Sequence, residues 1–114
     1  MADCLFCRVG AGEIPSSPVY RDDQFYAFHD IDPQAPVHVL VIPLAHHANM
    51  ADLTAADETQ AAELLRLAAK VAADLGLEER GYRVVINTGS AGGQSVDHVH
   101  AHVLGGRQMK WPPG

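Results

Sequence analysis

Two hydrophobic periods run through this chain, and their order predicts its fold. Val19–Arg21 and Phe25–His29 are short runs rich in aromatic and β-branched residues. Asp22-Asp23-Gln24 separates them, so they predict a β-hairpin. Val37–Ile42 predicts a third strand, stopped by Pro43. Tyr82–Asn87 and Val96–Leu104 predict two more. Between these groups the period changes. Leu64, Ala68, Val71, Ala72 and Leu75 recur at helical spacing, predicting one long helix from about Ala55 to Leu75. Thr54 is a good N-cap, Asp57 three residues on comes close to a capping box, and Gly76 is the natural stop. Cys4–Ala11 predicts one short helix of one or two turns. Pro15 and Pro18 mark a loop over Gly12–Pro18, and Asp32-Pro33 and Ala35-Pro36 mark a turn region over Asp30–Pro36.

Strands, a helix, then strands predict an α+β fold with a five-stranded antiparallel sheet, rather than alternating βαβ units. One long helix covers one face of such a sheet and leaves the other for a partner subunit. At 114 residues, with 47% hydrophobic and 19% charged, the chain has room for one core, so 1–114 reads as a single domain with 107–114 as its tail. The formal charge of −6, with no basic run, argues against nucleic acid or an anionic membrane as partner. The longest apolar run, Val39–Ile42 extended through Leu44, is far short of a membrane span. Met1–Arg8 has no apolar core of signal-peptide length, so a cytoplasmic location is expected. There a disulfide between Cys4 and Cys7 is not expected.

The densest chemistry is His98-Val99-His100-Ala101-His102. On a strand, alternate residues share a face, so three imidazoles face one way while Val99, Ala101 and Val103 face the core. The pattern fits a half-exposed strand, a three-histidine metal site, or phosphate chemistry with a histidine nucleophile. Gly89-Ser90-Ala91-Gly92-Gly93-Gln94-Ser95 leads straight into it. Such a loop offers backbone N–H groups and the Ser95 hydroxyl to an anion. It lacks the Gly-Lys-Ser/Thr of a P-loop and no helix follows. Next to three histidines, it favours phosphate.

These residues resemble the histidine triad family, whose signature is His-φ-His-φ-His-φ-φ with φ apolar. The likeness runs from Ile14-Pro15 to the tail and is nearest to the Hint branch, through Ala27-Phe28-His29-Asp30-Ile31, Gly92-Gly93-Gln94-Ser95, His98–Gly106 and Trp111-Pro112-Pro113-Gly114. It implies a HIT-like fold whose dimer has a continuous ten-stranded sheet. It implies a phosphoramidase-type hydrolase of purine nucleotides that releases AMP or GMP, with no metal required for catalysis. His100 would be the nucleophile, forming a nucleotidyl-histidine. His102, Ser95 and the Gly93-Gln94 backbone would hold the α-phosphate, and His38 would orient the triad. Phe28 and Ile31 would flank the base, Asp30 would accept from the ribose hydroxyls, and Asn87 would contact the phosphate–ribose side. Trp111 would reach the partner's site. The rival readings are a dinucleoside polyphosphate hydrolase and a nucleotide-binding adaptor. Asp97 and Lys110 stand where relatives often carry an aromatic residue and a histidine, so a different leaving-group preference is expected.

Cys4-x-x-Cys7 lacks the preceding strand of a redox motif, and a structural zinc needs two further ligands. The resemblance supplies His46 and His98, with His47 as an adjacent alternative to His46. His98 would then be structural, anchoring the catalytic strand.

Overall fold

The computed structural model describes residues 3–114. Met1 and Ala2, which open the segment read for a signal peptide, lie outside the described residues. Five strands form one antiparallel sheet: β1 (Pro18–Arg21), β2 (Phe25–His29), β3 (Val37–Pro43), β4 (Tyr82–Val85) and β5 (Ala101–Gly105). The sheet order is β1-β2-β3-β5-β4, so β3 lies at its centre, β5 beside it, and β1 and β4 form the edges. The α+β expectation holds.

The helices depart from expectation. α1 (Leu5–Gly10) is the short helix and α3 (Glu58–Asp74) the long one, but a further helix, α2 (Met50–Ala56), precedes it and takes in the expected start at Ala55. Asp57 divides them with an extended backbone, φ −157° and ψ 91°. Its N–H closes α2 on the Leu53 carbonyl at 2.8 Å, and its carboxylate accepts the Gln60 N–H at 2.9 Å, opening α3. Thr54 is not a cap. It lies inside α2 and returns its hydroxyl to the Ala51 carbonyl, while Asn49 caps α2 by accepting from Asp52 N–H. The last two strands are shorter than expected. β4 ends at Val85 rather than Asn87, and β5 starts at Ala101 rather than Val96.

Strand alternation divides the sheet into two faces. Val39 and Val41 of β3, with Ala101 and Val103 of β5, pack against Leu64, Leu67, Ala68, Val71 and Ala72 of α3. Leu40 and Ile42 of β3 join Tyr26, Phe28, Phe6 and Val9 in a second cluster on the opposite face. This second face was left to a partner by the sequence, but α1 covers part of it. The triad side chains lie on this face, so one register determines both the helix-side core and the site.

Candidate active site

Before β5 the chain leaves the sheet ladder but keeps its alternation. Val99 is buried in the helix-side core, while His98 and His100 turn to the α1 face. The Val99 N–H is satisfied by the His47 carbonyl at 2.8 Å. His98, His100 and His38 are buried and His102 is partly so.

Hydrogen bonds to backbone groups of fixed polarity assign the imidazole protons. The His100 Nδ1–H donates to the His98 carbonyl at 2.8 Å, which leaves a lone pair on Nε2. The Gln34 N–H donates to His38 Nδ1 at 3.0 Å, so the proton of a neutral His38 sits on Nε2. That N–H donates to His102 Nδ1 at 2.9 Å, with Asp30 Oδ2 beside it at 3.4 Å. His102 must then carry its proton on Nε2, which is buried and has no partner among the described residues. Burial lowers the pKa of His38 and His100 below the ordinary imidazole value, and that of His102 to about 4. At neutral pH the three are therefore uncharged. The site pairs a nitrogen lone pair with a nearby N–H donor, as nucleophilic attack and anion stabilisation require.

Both histidines line a cavity of ≈ 530 Å³, the size of a small-molecule site. Phe28, Asp30, Ile31 and Ser95 line it too, so six of the expected residues meet there. Asp30 also serves its turn, with Oδ1 accepting the Asp32 N–H at 2.8 Å. Ile31 is fully exposed at the rim.

Five expected residues do not line this cavity: His38, which stands behind His102, and Asn87, Gly93, Gln94 and Trp111. The loop is wound on itself, with Gly93 N–H bonded to Ser90 O and Gln94 N–H to Gly89 O. Gly93 has φ +82°, and a Cβ at Gly92 would clash with the Thr88 carbonyl oxygen. The Gln94 amide is the loop's anchor. Its Oε1 accepts from Gly89 N–H, and its Nε2 donates to Ala48 O and Val96 O. Trp111 lies on Arg83 of β4, whose guanidinium also donates to Lys110 O.

The cavity wall from α1 and the following loop (Leu5, Phe6, Val9, Ile14, Ser16 and Ser17) was missed by the sequence reading. Its signal was present, because Phe6 and Val9 fall at i, i+3 on a predicted helix. The Phe6 ring stands edge-on to His100, with centroids 4.9 Å apart.

Beside the cavity, Cys4 Sγ, Cys7 Sγ, His46 Nδ1 and His98 Nδ1 all lie within 4.8 Å of one another. His98 donates Nε2–H to the Pro43 carbonyl at 2.8 Å, so its Nδ1 lone pair faces the sulfurs, at 3.4 and 3.5 Å. His46 Nδ1 is 3.3 Å from Cys7 Sγ. Zinc–ligand bond lengths put sulfur and nitrogen about 3.6 Å apart in a tetrahedral site, so the residues fit. Both cysteines are free thiols, and His46 rather than His47 completes the set.

The architecture is the HIT-like α+β fold, with alternating histidines entering β5, an inner strand of the sheet. Residues 11–109 match the HIT domain family model, and the chain belongs to that family. It is 51% identical to an uncharacterized HIT-like protein of Synechococcus elongatus, covering 98% of this chain and 97% of that one. It is 50% identical to a 14 kDa zinc-binding protein of Zea mays, over 96% of this chain and 87% of the other. A HIT family hydrolase of Legionella pneumophila superposes with a TM-score of 0.95 at 51% identity, covering 98% of this chain and all of that one. These names support a hydrolase-type role in general.

Proposed function

We propose that this chain is a Hint-branch purine nucleoside phosphoramidate hydrolase that works through a nucleotidyl-histidine on His100. The carrying observation is the pair of fixed tautomers: the lone pair of His100 Nε2 and the unpartnered N–H of His102 belong to side chains lining one ligand-sized cavity. A phosphorus bound to an amine is attacked slowly by water. His100 Nε2 attacks instead, the P–N bond breaks, and the amine leaves with the bonding electrons and takes up a proton. His102 Nε2–H and Ser95 Oγ stabilise the charge gathering on the phosphoryl oxygens. Water then displaces the imidazole, releasing AMP or GMP. Phe28 and Ile31 flank the base and Asp30 receives the ribose, as their places on the cavity wall allow. Gly93 and Gln94 act through the turn that presents Ser95, and Trp111 stands by Arg83 at the β4 edge.

Cys4, Cys7, His46 and His98 hold a structural zinc, for which the separations and the His98 tautomer are suited. With four protein ligands the ion would tie α1 to the entrance of β5 and leave no position open for catalysis. The unpaired edge of β4, with the tail against it, is suited to pairing with a second copy into a ten-stranded sheet.

Hydrolysis of adenosine 5′-phosphoramidate by wild type and His100→Ala tests the reading, without added divalent cation. Wild-type turnover and its loss in the mutant are expected. A folded wild type that binds AMP but turns nothing over would refute it. Metal analysis of tag-free protein should give one zinc per chain, and light scattering a mass of two chains.

A further inference from the structure

Building on the nucleotide and zinc readings, we propose that Cys4 and Cys7 are positioning residues for the nucleotide site. Metal binding and nucleotide binding are then coupled through α1. This helix has six residues, too few to hold together alone. One end belongs to the metal-ligand cluster, with Cys4 as N-cap and Cys7 in the first turn. Its flank, Leu5, Phe6 and Val9, is a wall of the cavity. Two sites about one helical turn apart therefore share one small element.

The helix has few other polar ties. Among the described residues, its hydrogen bonds beyond the adjoining loop are the thiol–imidazole contacts at 3.3–3.5 Å and Arg21 Nη1–H on the Gly10 carbonyl at 3.0 Å; the loop itself adds Gly12 N–H on Val9 O and Glu13 N–H on Arg8 O. A thiol is a weak donor, so the cluster without metal is a weak clasp. The remaining attachment is apolar: Phe6 meets Phe28, His98 and His100, and Phe6 and Val9 pack in the cluster with Tyr26, Leu40 and Ile42. In the metal-free chain the wall must be ordered when the nucleotide binds. In the loaded chain that ordering is already done, and affinity rises accordingly. Linkage makes the effect mutual: bound nucleotide must raise metal affinity by the same factor.

The test is a thermodynamic square with AMP and zinc. Calorimetry measures AMP binding to zinc-loaded chain and to chain stripped by chelator and dialysed. A competing chromophoric chelator measures zinc affinity with and without saturating AMP. The expected result is AMP at least about fivefold tighter on the loaded form, with zinc affinity raised equally by AMP. Zinc should raise amide-exchange protection in residues 4–10 while leaving β3 and β5 unchanged. Leu5→Ala, at a half-exposed position that is no ligand, should bind zinc normally and show weaker coupling. Equal AMP affinities in the two forms would overturn the proposal. So would a metal-free chain that is unfolded by circular dichroism, or protection rising along the whole chain, because either makes the metal a general stabiliser. Coupling undiminished in Leu5→Ala/Phe6→Leu would remove α1 as the route and overturn it too. Absence of any AMP or zinc binding would reject the parent reading itself, an outcome distinct from two affinities that are measurable but independent.

Discussion

Replacing His38 by phenylalanine keeps a ring in the site and removes both of its hydrogen bonds. Gln34 N–H loses its acceptor, and His102 Nδ1 loses the donor that fixes its tautomer. A neutral hydrogen bond of this kind has a net worth of about 1 kcal/mol, which is roughly a fivefold bias between the two His102 tautomers. Without that bias, part of the population presents a lone pair where the transition state needs a donor. The imidazole is also freer to rotate. The expected fall in kcat is therefore about two- to fivefold. Truncating His102 itself removes the donor outright and should cost about 10²–10³. Single-turnover hydrolysis of adenosine 5′-phosphoramidate, with circular dichroism to establish folding, separates the two. Full kcat in a folded His38→Phe chain would refute the tautomer chain. So would a loss as large as that of His100→Ala, because His38 would then act in the chemistry rather than through His102.

The site should also shape the acid side of the stability curve. An unfolded His102 takes up a proton near the ordinary histidine value, whereas the folded one resists until about 4, with burial as the main cause. The unfolded state thus binds more protons across that window, so stability is full above it and falls as pH drops through it. Melting temperatures from pH 7 to 4 should fall, and His102→Gln should flatten the decline. Gln94→Ala removes three hydrogen bonds from the glycine loop. It should lower unfolding free energy by about 1–3 kcal/mol and, by displacing Ser95, cut kcat by about ten- to hundredfold. Asp57→Ala removes the α3 cap and should cost about 1 kcal/mol in chemical denaturation with no change in KM.

The triad's arrangement was legible because a period of two is a local property. His100 and Ala101 must face opposite ways wherever the strand lies. The break between α2 and α3 was not legible. Ala55, Ala56 and Glu58 are good helix formers on either side of Asp57, and the apolar stripe begins only later, at Leu64. What decides the break is the Asp57 carboxylate choosing the Gln60 N–H over solvent. The anchoring role of the Gln94 side chain was not legible, because its partner, the Ala48 carbonyl, is 46 positions away. Cys4 and His98, 94 positions apart, came together in the reading only through family resemblance.

The shared register of β3 and β5 sets where this chain can change length. His38 pairs opposite Leu104, and Leu40 opposite His102, with Val39 facing Val103 between them. Deleting one residue within Val99–Val103 would exchange the faces of the residues on one side of the cut. It would drive imidazoles among the α3 leucines, or valines into the cavity. Lineages built on this plan therefore have little freedom to gain or lose residues within the paired central strands. The exposed turn at Glu78–Arg80, with no part in the cavity or the metal cluster, can lengthen or shorten without disturbing either.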